Sequence, residues 1–242
     1  MTLSTRHDRF QIEKSESAME WKPLEINPEM LNKLLFKLGV GNGWQFVDIM
    51  GLEEEALSWV PSPSFAVMLL FPLTQQHEAY REKQTEVMGD SHKRESEVYF
   101  IKQTVGNSCG TIGLLHAVAN NKHRLEFEAG AVIKRFLDDT ASMSADDRAK
   151  RLETNQEIQA AHEEVAAEGQ CQVDPDKVNF HFITFISVGG QLYELDGRLN
   201  YPVNHGPTTE DNFIKDAAGI CRQFMEREKD EVRFSAVALC RT

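Results

Sequence analysis

Apolar residues recur at two spacings along this chain of 242 residues, and the switches between them divide it into elements. The first clear pattern opens at Asn27, a capping residue type. Pro28 follows in the first turn, then Leu31, Leu34, Leu35 and Leu38 at helical spacing, with Gly41 as the stop. A short strand is predicted at 46–49 and a buried one at 65–71, an apolar run too short to cross a bilayer. The charged stretch 75–97 reads as a surface helix running into a loop, and 98–103 as a brief apolar lead into the next helix. Residues 109–120 return to helical period, with Ile112, Leu115 and Ala119 on one stripe. Another amphipathic helix is predicted at 128–138. Ser144 and Asp147 resemble a capping box opening a third, which runs through Leu152.

The stretch 157–177 is rich in Ala, Glu and Gln and carries Gly169 and Pro175. It shows no coherent apolar face, so a long exposed crossing loop is expected, helical in part at most. Strand-like runs at 180–188 and 191–196 flank Gly189-Gly190, a hairpin signal. A long helix is predicted at 209–228, with Phe213, Ala217, Cys221 and Phe224 in its buried stripe, and a closing strand at 232–239. Residues 1–18 lack an apolar period and are expected to be a flexible extension preceding one catalytic domain over 19–242. Interspersed helices and strands without a repeat predict a single mixed α/β (α+β) domain.

Composition narrows the class. A 41% hydrophobic content with 14 Phe supplies a sizeable core, which argues against disorder throughout. The formal net charge is −12 and no basic patch appears, so nucleic acid is not the expected partner; a basic protein fits better. The polar N-terminus lacks the apolar centre of a signal peptide, so a cytoplasmic or nuclear protein is expected. Cys109, Cys171, Cys221 and Cys240 are then reduced thiols, and without a CxxC they do not read as structural zinc ligands. His116, His123 and His162 lack a partner cluster for a metal, and no cofactor is expected.

One segment carries chemistry. Gly106, Asn107 and Ser108 form a small, turn-forming run that delivers Cys109 onto the first turn of an apolar helix. Unpaired N–H groups and the positive end of the helix dipole favour a thiolate there, and the same groups can hold an oxyanion. Gln103, six residues upstream, can add a side-chain donor, a contribution typically worth about 3–4 kcal/mol of barrier. The base is expected to be His181, at the start of a strand. If Gly189-Gly190 form a two-residue turn, Asp196 faces Ile183 and lies diagonal to His181 on the same face, about 7–8 Å away along the backbone. An odd-length loop would break that parity. Gln103, Cys109, His181 and Asp196 then make the donor, nucleophile, base and orienter of a papain-like acyl hydrolase.

The segments KQTVGNSCGTIGLLHAVANN, NFHFITFISVGGQLYELDGR and PVNHG resemble the motifs of the small ubiquitin carboxyl-terminal hydrolases, a likeness running from about Met19 to Cys240. NPEMLNKLL and GQCQVD point to its neuronal cytosolic branch. The resemblance implies a papain-like ubiquitin C-terminal hydrolase fold, with a central antiparallel sheet flanked by helices and a knotted chain path. It also makes 157–177 a crossover loop that admits only slim adducts to the active site. Ubiquitin is the implied partner. Its contacts would fall on Pro23, Leu24, Glu25, Ile26, Asn27 and Pro28, and on Glu231, Val232, Arg233, Phe234, Ser235 and Ala236, with Val232 and Phe234 as apolar anchors. That neuronal branch ends in a Cys followed by three residues. Here only Arg241 and Thr242 follow Cys240, so no lipid anchor is expected. Two other readings share these residues: a ubiquitin-binding protein that stabilises free ubiquitin with little turnover, and a glutaminase-like enzyme for another acyl substrate.

Overall fold

The computed structural model describes residues 20–25, 27–88, 97–169, 180–228 and 231–242. The expectations placed on residues 1–18, Ile26, Cys171 and the second half of the crossover stretch lie outside them. In chain order the elements are α1 (Pro28–Lys37), β1 (Trp44–Asp48), α2 (Glu54–Leu57), β2 (Ser64–Pro72), α3 (Gln75–Met88), α4 (Cys109–Asn120) and α5 (Val132–Asp139). They continue with α6 (Ala145–Glu153), α7 (Gln156–Glu168), β3 (Phe180–Val188), β4 (Gln191–Leu195), β5 (Val203–Pro207), α8 (Phe213–Arg227) and β6 (Ser235–Arg241).

Six strands form one antiparallel sheet in the order β1-β6-β2-β3-β4-β5, so the last strand is inserted between the first two. Both faces are apolar, which explains the continuous hydrophobic run in β2. Ala66 and Met68 face one core, shared with α1 and α4–α7; Val67, Leu69 and Phe71 face the other, shared with α2 and α8. This is helix–sheet–helix layering, with each strand's alternation feeding two cores.

Local signals explain several boundaries. The Asn27 side chain accepts from the Met30 N–H at 2.9 Å and Pro28 opens α1, as its sequence predicts. Ser144 caps α6: its Oγ accepts from the Asp147 N–H at 3.1 Å, and its hydroxyl donates to Asp147 Oδ2 at 2.7 Å in place of the backbone bond of a full capping box. Helix α5 starts later than the apolar pattern suggests, because Gly130 adopts a φ of 75° and 128–131 is turn. The closing strand also starts late: the Glu231 carboxylate folds onto the Arg233 backbone and guanidinium, so pairing begins at Ser235.

The expected loop at 157–177 requires a correction. Its first part is α7, capped by Asn155, with Ile158, Ala161, His162, Val165 and Ala166 buried. Ile158, Ala161, Val165 and Ala166 recur at helical spacing on its inward face with His162 among them, a stripe in which only Ile158 and Val165 are large. Helix α4 also differs from a one-stripe helix: every side chain from Thr111 to Val118 is buried, as is Gly110. A Cβ at Gly113 would stand 2.7 Å from the Met68 side chain, so α4 lies directly on the sheet. Thr184 of β3 fixes that contact, its hydroxyl donating to the Gly113 carbonyl at 3.0 Å.

Candidate active site

The hairpin between β3 and β4 sets the geometry. Gly189 and Gly190 adopt φ of 57° and 73°, the left-handed pair that a two-residue primed turn needs. Thr184 pairs with Leu195 and Val188 with Gln191, so the register is the one that an even loop dictates. His181 and Asp196 meet just beyond the end of this ladder: His181 Nε2 donates to Asp196 Oδ1 at 2.7 Å. Both residues are buried. Phe71, the cross-strand partner of His181, stands edge-on to the imidazole with centroids 5.8 Å apart.

Asp196 is held at both oxygens. Oδ1 also accepts from the Arg198 N–H at 2.9 Å, and Oδ2 accepts from the Arg81 guanidinium at 3.3 Å. Burial would push this carboxyl up, but His181, Arg81 and the Arg198 amide hold it far below the carboxylate range. Burial likewise disfavours a charged His181. Asp196 outweighs it through charge and hydrogen bond, Cys109 adds to the effect, and the imidazolium is held up to about 9. With Nε2 committed to Asp196, Nδ1 is the ring nitrogen left for the thiol.

Cys109 is half-buried and opens α4. Ser108, in the cap position, makes no capping bond; its hydroxyl turns back to the Val105 carbonyl at 2.8 Å. The first-turn N–H groups therefore keep their capacity for an incoming oxygen. Gln103 lies in the same loop. Its backbone N–H donates to Gly197 at 2.7 Å, tying the loop to the residue after Asp196, and a Cβ at Gly197 would reach within 3.0 Å of the Gln103 Cβ. The Gln103 amide makes one long bond to Val105, at 3.3 Å, while its Oε1 is buried without a partner. So the structure places all four sequence-selected residues around one loop–hairpin junction.

The other two cysteines among the described residues differ. Cys221 and Cys240 lie fully in the core behind the sheet, and burial pushes each thiol up to about 12. A thiol-selective alkylating agent at neutral pH is therefore expected to modify Cys109 in the folded protein and to spare Cys221 and Cys240 until denaturant is added. Peptide mass mapping checks this.

The expected ubiquitin contacts divide. Val232 is 86% exposed and Phe234 is half-buried beside it. Leu24 and Ala236 turn their side chains inward, into the two cores on opposite faces of the sheet, because extended segments alternate their side chains, which leaves their backbone for contact. Pro23, Glu25, Asn27 and Pro28 remain partly exposed, with Asn27 also engaged as a cap and as donor to Glu25. Ile26 lies outside the described residues. Glu231 and Arg233 bind each other, and Ser235 opens β6 facing solvent.

Some features went unforeseen. An open groove of about 370 Å³, lined by Ile49, Met50, Leu52, Met225 and Phe234, adjoins the start of β6. The segment before α1 is also tied to the nucleophile loop: Trp21 N–H donates to Gly106, and Asn107, at φ 61°, donates to the Trp21 carbonyl. Buried Arg81 was hidden in a polar helix. The one hint was Glu194, at an inward position of β4 that requires a cation. Among the described residues no group of three His, Cys, Asp or Glu could hold a metal ion, and no helix is long and apolar enough to cross a membrane.

Comparison with known proteins adds the family. The sequence model of "Ubiquitin carboxyl-terminal hydrolase, family 1" matches residues 21–226. Ubiquitin carboxyl-terminal hydrolase isozyme L1 of Rattus norvegicus is 62% identical over 223 residues, covering 92% of this chain and 99% of the relative. The isozyme L1 of Homo sapiens is also 62% identical, with the same coverage. In fold, the chain is similar to the catalytic domain of Trichinella spiralis UCH37, solved bound to ubiquitin vinyl methyl ester. That likeness has a TM-score of 0.74 and 22% identity, over 92% of this chain and 96% of the other. With that profile spanning most of its length, this chain belongs to the ubiquitin carboxyl-terminal hydrolase family 1.

Proposed function

We propose that the chain is a cysteine-type ubiquitin carboxyl-terminal hydrolase. Cys109 is its nucleophile, His181 its base, Asp196 the orienter and Gln103 an oxyanion donor. The observation that carries this reading is the buried His181–Asp196 pair set beside a half-buried cysteine on an uncapped helix start. The Cys109 thiolate attacks the carbonyl carbon of the C-terminal glycine of ubiquitin, and the oxyanion rests on the Gln103 amide and first-turn N–H groups. The His181 imidazolium gives its proton to the departing amine or alcohol, leaving an acyl-thioester on Cys109. Water, deprotonated by His181, then attacks that thioester, releasing ubiquitin and the thiolate.

Small adducts and short peptides are the proposed leaving groups. Ubiquitin docks along the exposed part of 23–28 and along Val232, Phe234 and the adjoining groove. A net charge of −12 favours its approach if the docking face is basic. We place the activity in the cytoplasm, with the nucleus as a second compartment.

Two measurements test this. Ubiquitin carrying a C-terminal electrophile is expected to form a 1:1 adduct mapped to Cys109; an adduct on another cysteine overturns the assignment. Val232→Asp is expected to raise KM for a ubiquitin C-terminal amide about tenfold with kcat nearly unchanged, because a charge now faces the apolar contact. A KM equal to wild type removes Val232 from the interface.

A further inference from the structure

Helix α3 is polar and lies on the surface, yet one of its residues, Arg81, is 6% exposed. Its guanidinium passes beneath the hairpin and is shared between two buried carboxylates, Glu194 and Asp196 Oδ2. Gln84 Oε1 accepts from a second nitrogen at 2.7 Å, and the Phe224 ring lies 5.3 Å below. Glu194 is fully buried and receives a second bond, from His205 Nε2 of β5, at 2.8 Å. A continuous network therefore runs His181–Asp196–Arg81–Glu194–His205.

This network solves a specific problem. A carboxylate bonded only through Oδ1 is free to turn about its side-chain axis, and the imidazole it holds turns with it. The Arg81 contact at Oδ2 fixes that plane. A lone cation there would, however, cancel the field by which Asp196 favours the His181 imidazolium. Glu194 offsets it, so the Arg81–Glu194 pair grips Asp196 while adding almost no net charge.

We infer that Arg81 and Glu194 are positioning residues for the reaction, a charge-compensated clamp on the Asp196 carboxylate that His205 holds from the outer side. The inference rests on the assignment of His181 and Asp196 given above. The charged or titratable groups around that pair are Cys109 and His116 from α4, His77 and Arg81 from α3, and Glu194 from β4. His205 acts from β5 through Glu194, Arg198 from the following loop, and Arg227 of α8 on Arg81 and Glu194.

The test is steady-state kinetics across pH on a ubiquitin C-terminal amide, with thermal unfolding as the fold check. Arg81→Gln/Glu194→Gln keeps the net charge and is expected to lower kcat by about 10- to 100-fold with KM unchanged and both pH limbs in place. Glu194→Gln leaves the Arg81 charge uncompensated, so the alkaline limb, where His181 loses its proton, is expected about one pH unit lower. Arg81→Lys keeps the charge without the planar fork and recovers part of the kcat lost in Arg81→Gln.

A merely structural role would lower the folded fraction and leave the limbs where they are. His205→Ala, at a half-buried site, decides the matter if the Arg81 variants do not fold: a three- to tenfold loss in kcat is expected, and a wild-type rate overturns the clamp. Asp196→Asn separates the two readings. Full activity in that variant defeats the triad itself. An inactive Asp196→Asn beside wild-type Glu194→Gln and His205→Ala defeats the clamp alone.

Discussion

Cys109→Ala is expected to lower turnover of a ubiquitin C-terminal ester by about 10⁴-fold or more while affinity for ubiquitin stays close to wild type. Removing the nucleophile of a triad removes most of its catalysis, and what survives comes from the oxyanion donors and binding. The substitution deletes one half-buried sulfur at the start of α4 and leaves the Gln103 loop, the β3–β4 hairpin and the docking residues in place. Stopped turnover with intact binding is thus the signature of chemistry lost. Undiminished turnover would remove Cys109 from the mechanism. Weakened binding in step with activity would mean that the loop tied to Trp21 had shifted, since Gly106 and Asn107 bond to that residue.

Acidification is expected to destabilise the fold steeply below about pH 6.5. His77 stacks on Phe224 and lies tilted against Phe71, and His116 lies parallel to Phe100 with centroids 5.2 Å apart. Burial, chiefly, pushes both down to about 3, and it lowers His162 as well. Each is a base with a depressed folded value. The unfolded chain therefore takes up protons below 6.5 that the folded chain refuses, and stability drains between 6.5 and about 3. At about 1.4 kcal/mol per pH unit for each group, His77 and His116 together remove about 4 kcal/mol by pH 5.

His181 acts in the opposite direction. Its folded value is raised, so its contribution is complete below 6.5 and is lost as pH rises through about 9. A stability maximum near pH 6.5–7 is the expected outcome in denaturant titrations taken across pH. His77→Phe, which keeps the aromatic stack and removes an Nε2 that has no partner, is expected to shallow the acid limb by nearly half. An acid limb of unchanged slope would show that other groups set it.

Much of the fold and the site was legible in the sequence because it is written locally. The cap at Asn27, the cap at Ser144, the strands at Phe65 and Phe180 and the Gly189-Gly190 turn each depend on neighbours a few residues away. Turn length alone fixed the parity that brings Asp196 to His181. Cys109 stood out by its place at a helix start, and its family followed from motifs around it. The expectation of ubiquitin as the partner came from likeness, because no spacing in the chain encodes a partner.

What only the tertiary structure decided involves residues whose meaning depends on distant partners. The buried face of helix α7 was overlooked in a stretch expected to be helical in part at most, because His162 and small alanines separate Ile158 from Val165; His162 bridges the Thr111 hydroxyl and the Lys22 carbonyl at 2.7 Å each. The inward turn of the Leu24 and Ala236 side chains came only from the packing. Arg81 looked like any solvated cation on a charged helix. Local periodicity reports which way a side chain faces along its own element. It does not report what lies there, and a buried charge takes its role from carboxylates more than a hundred residues away in the chain.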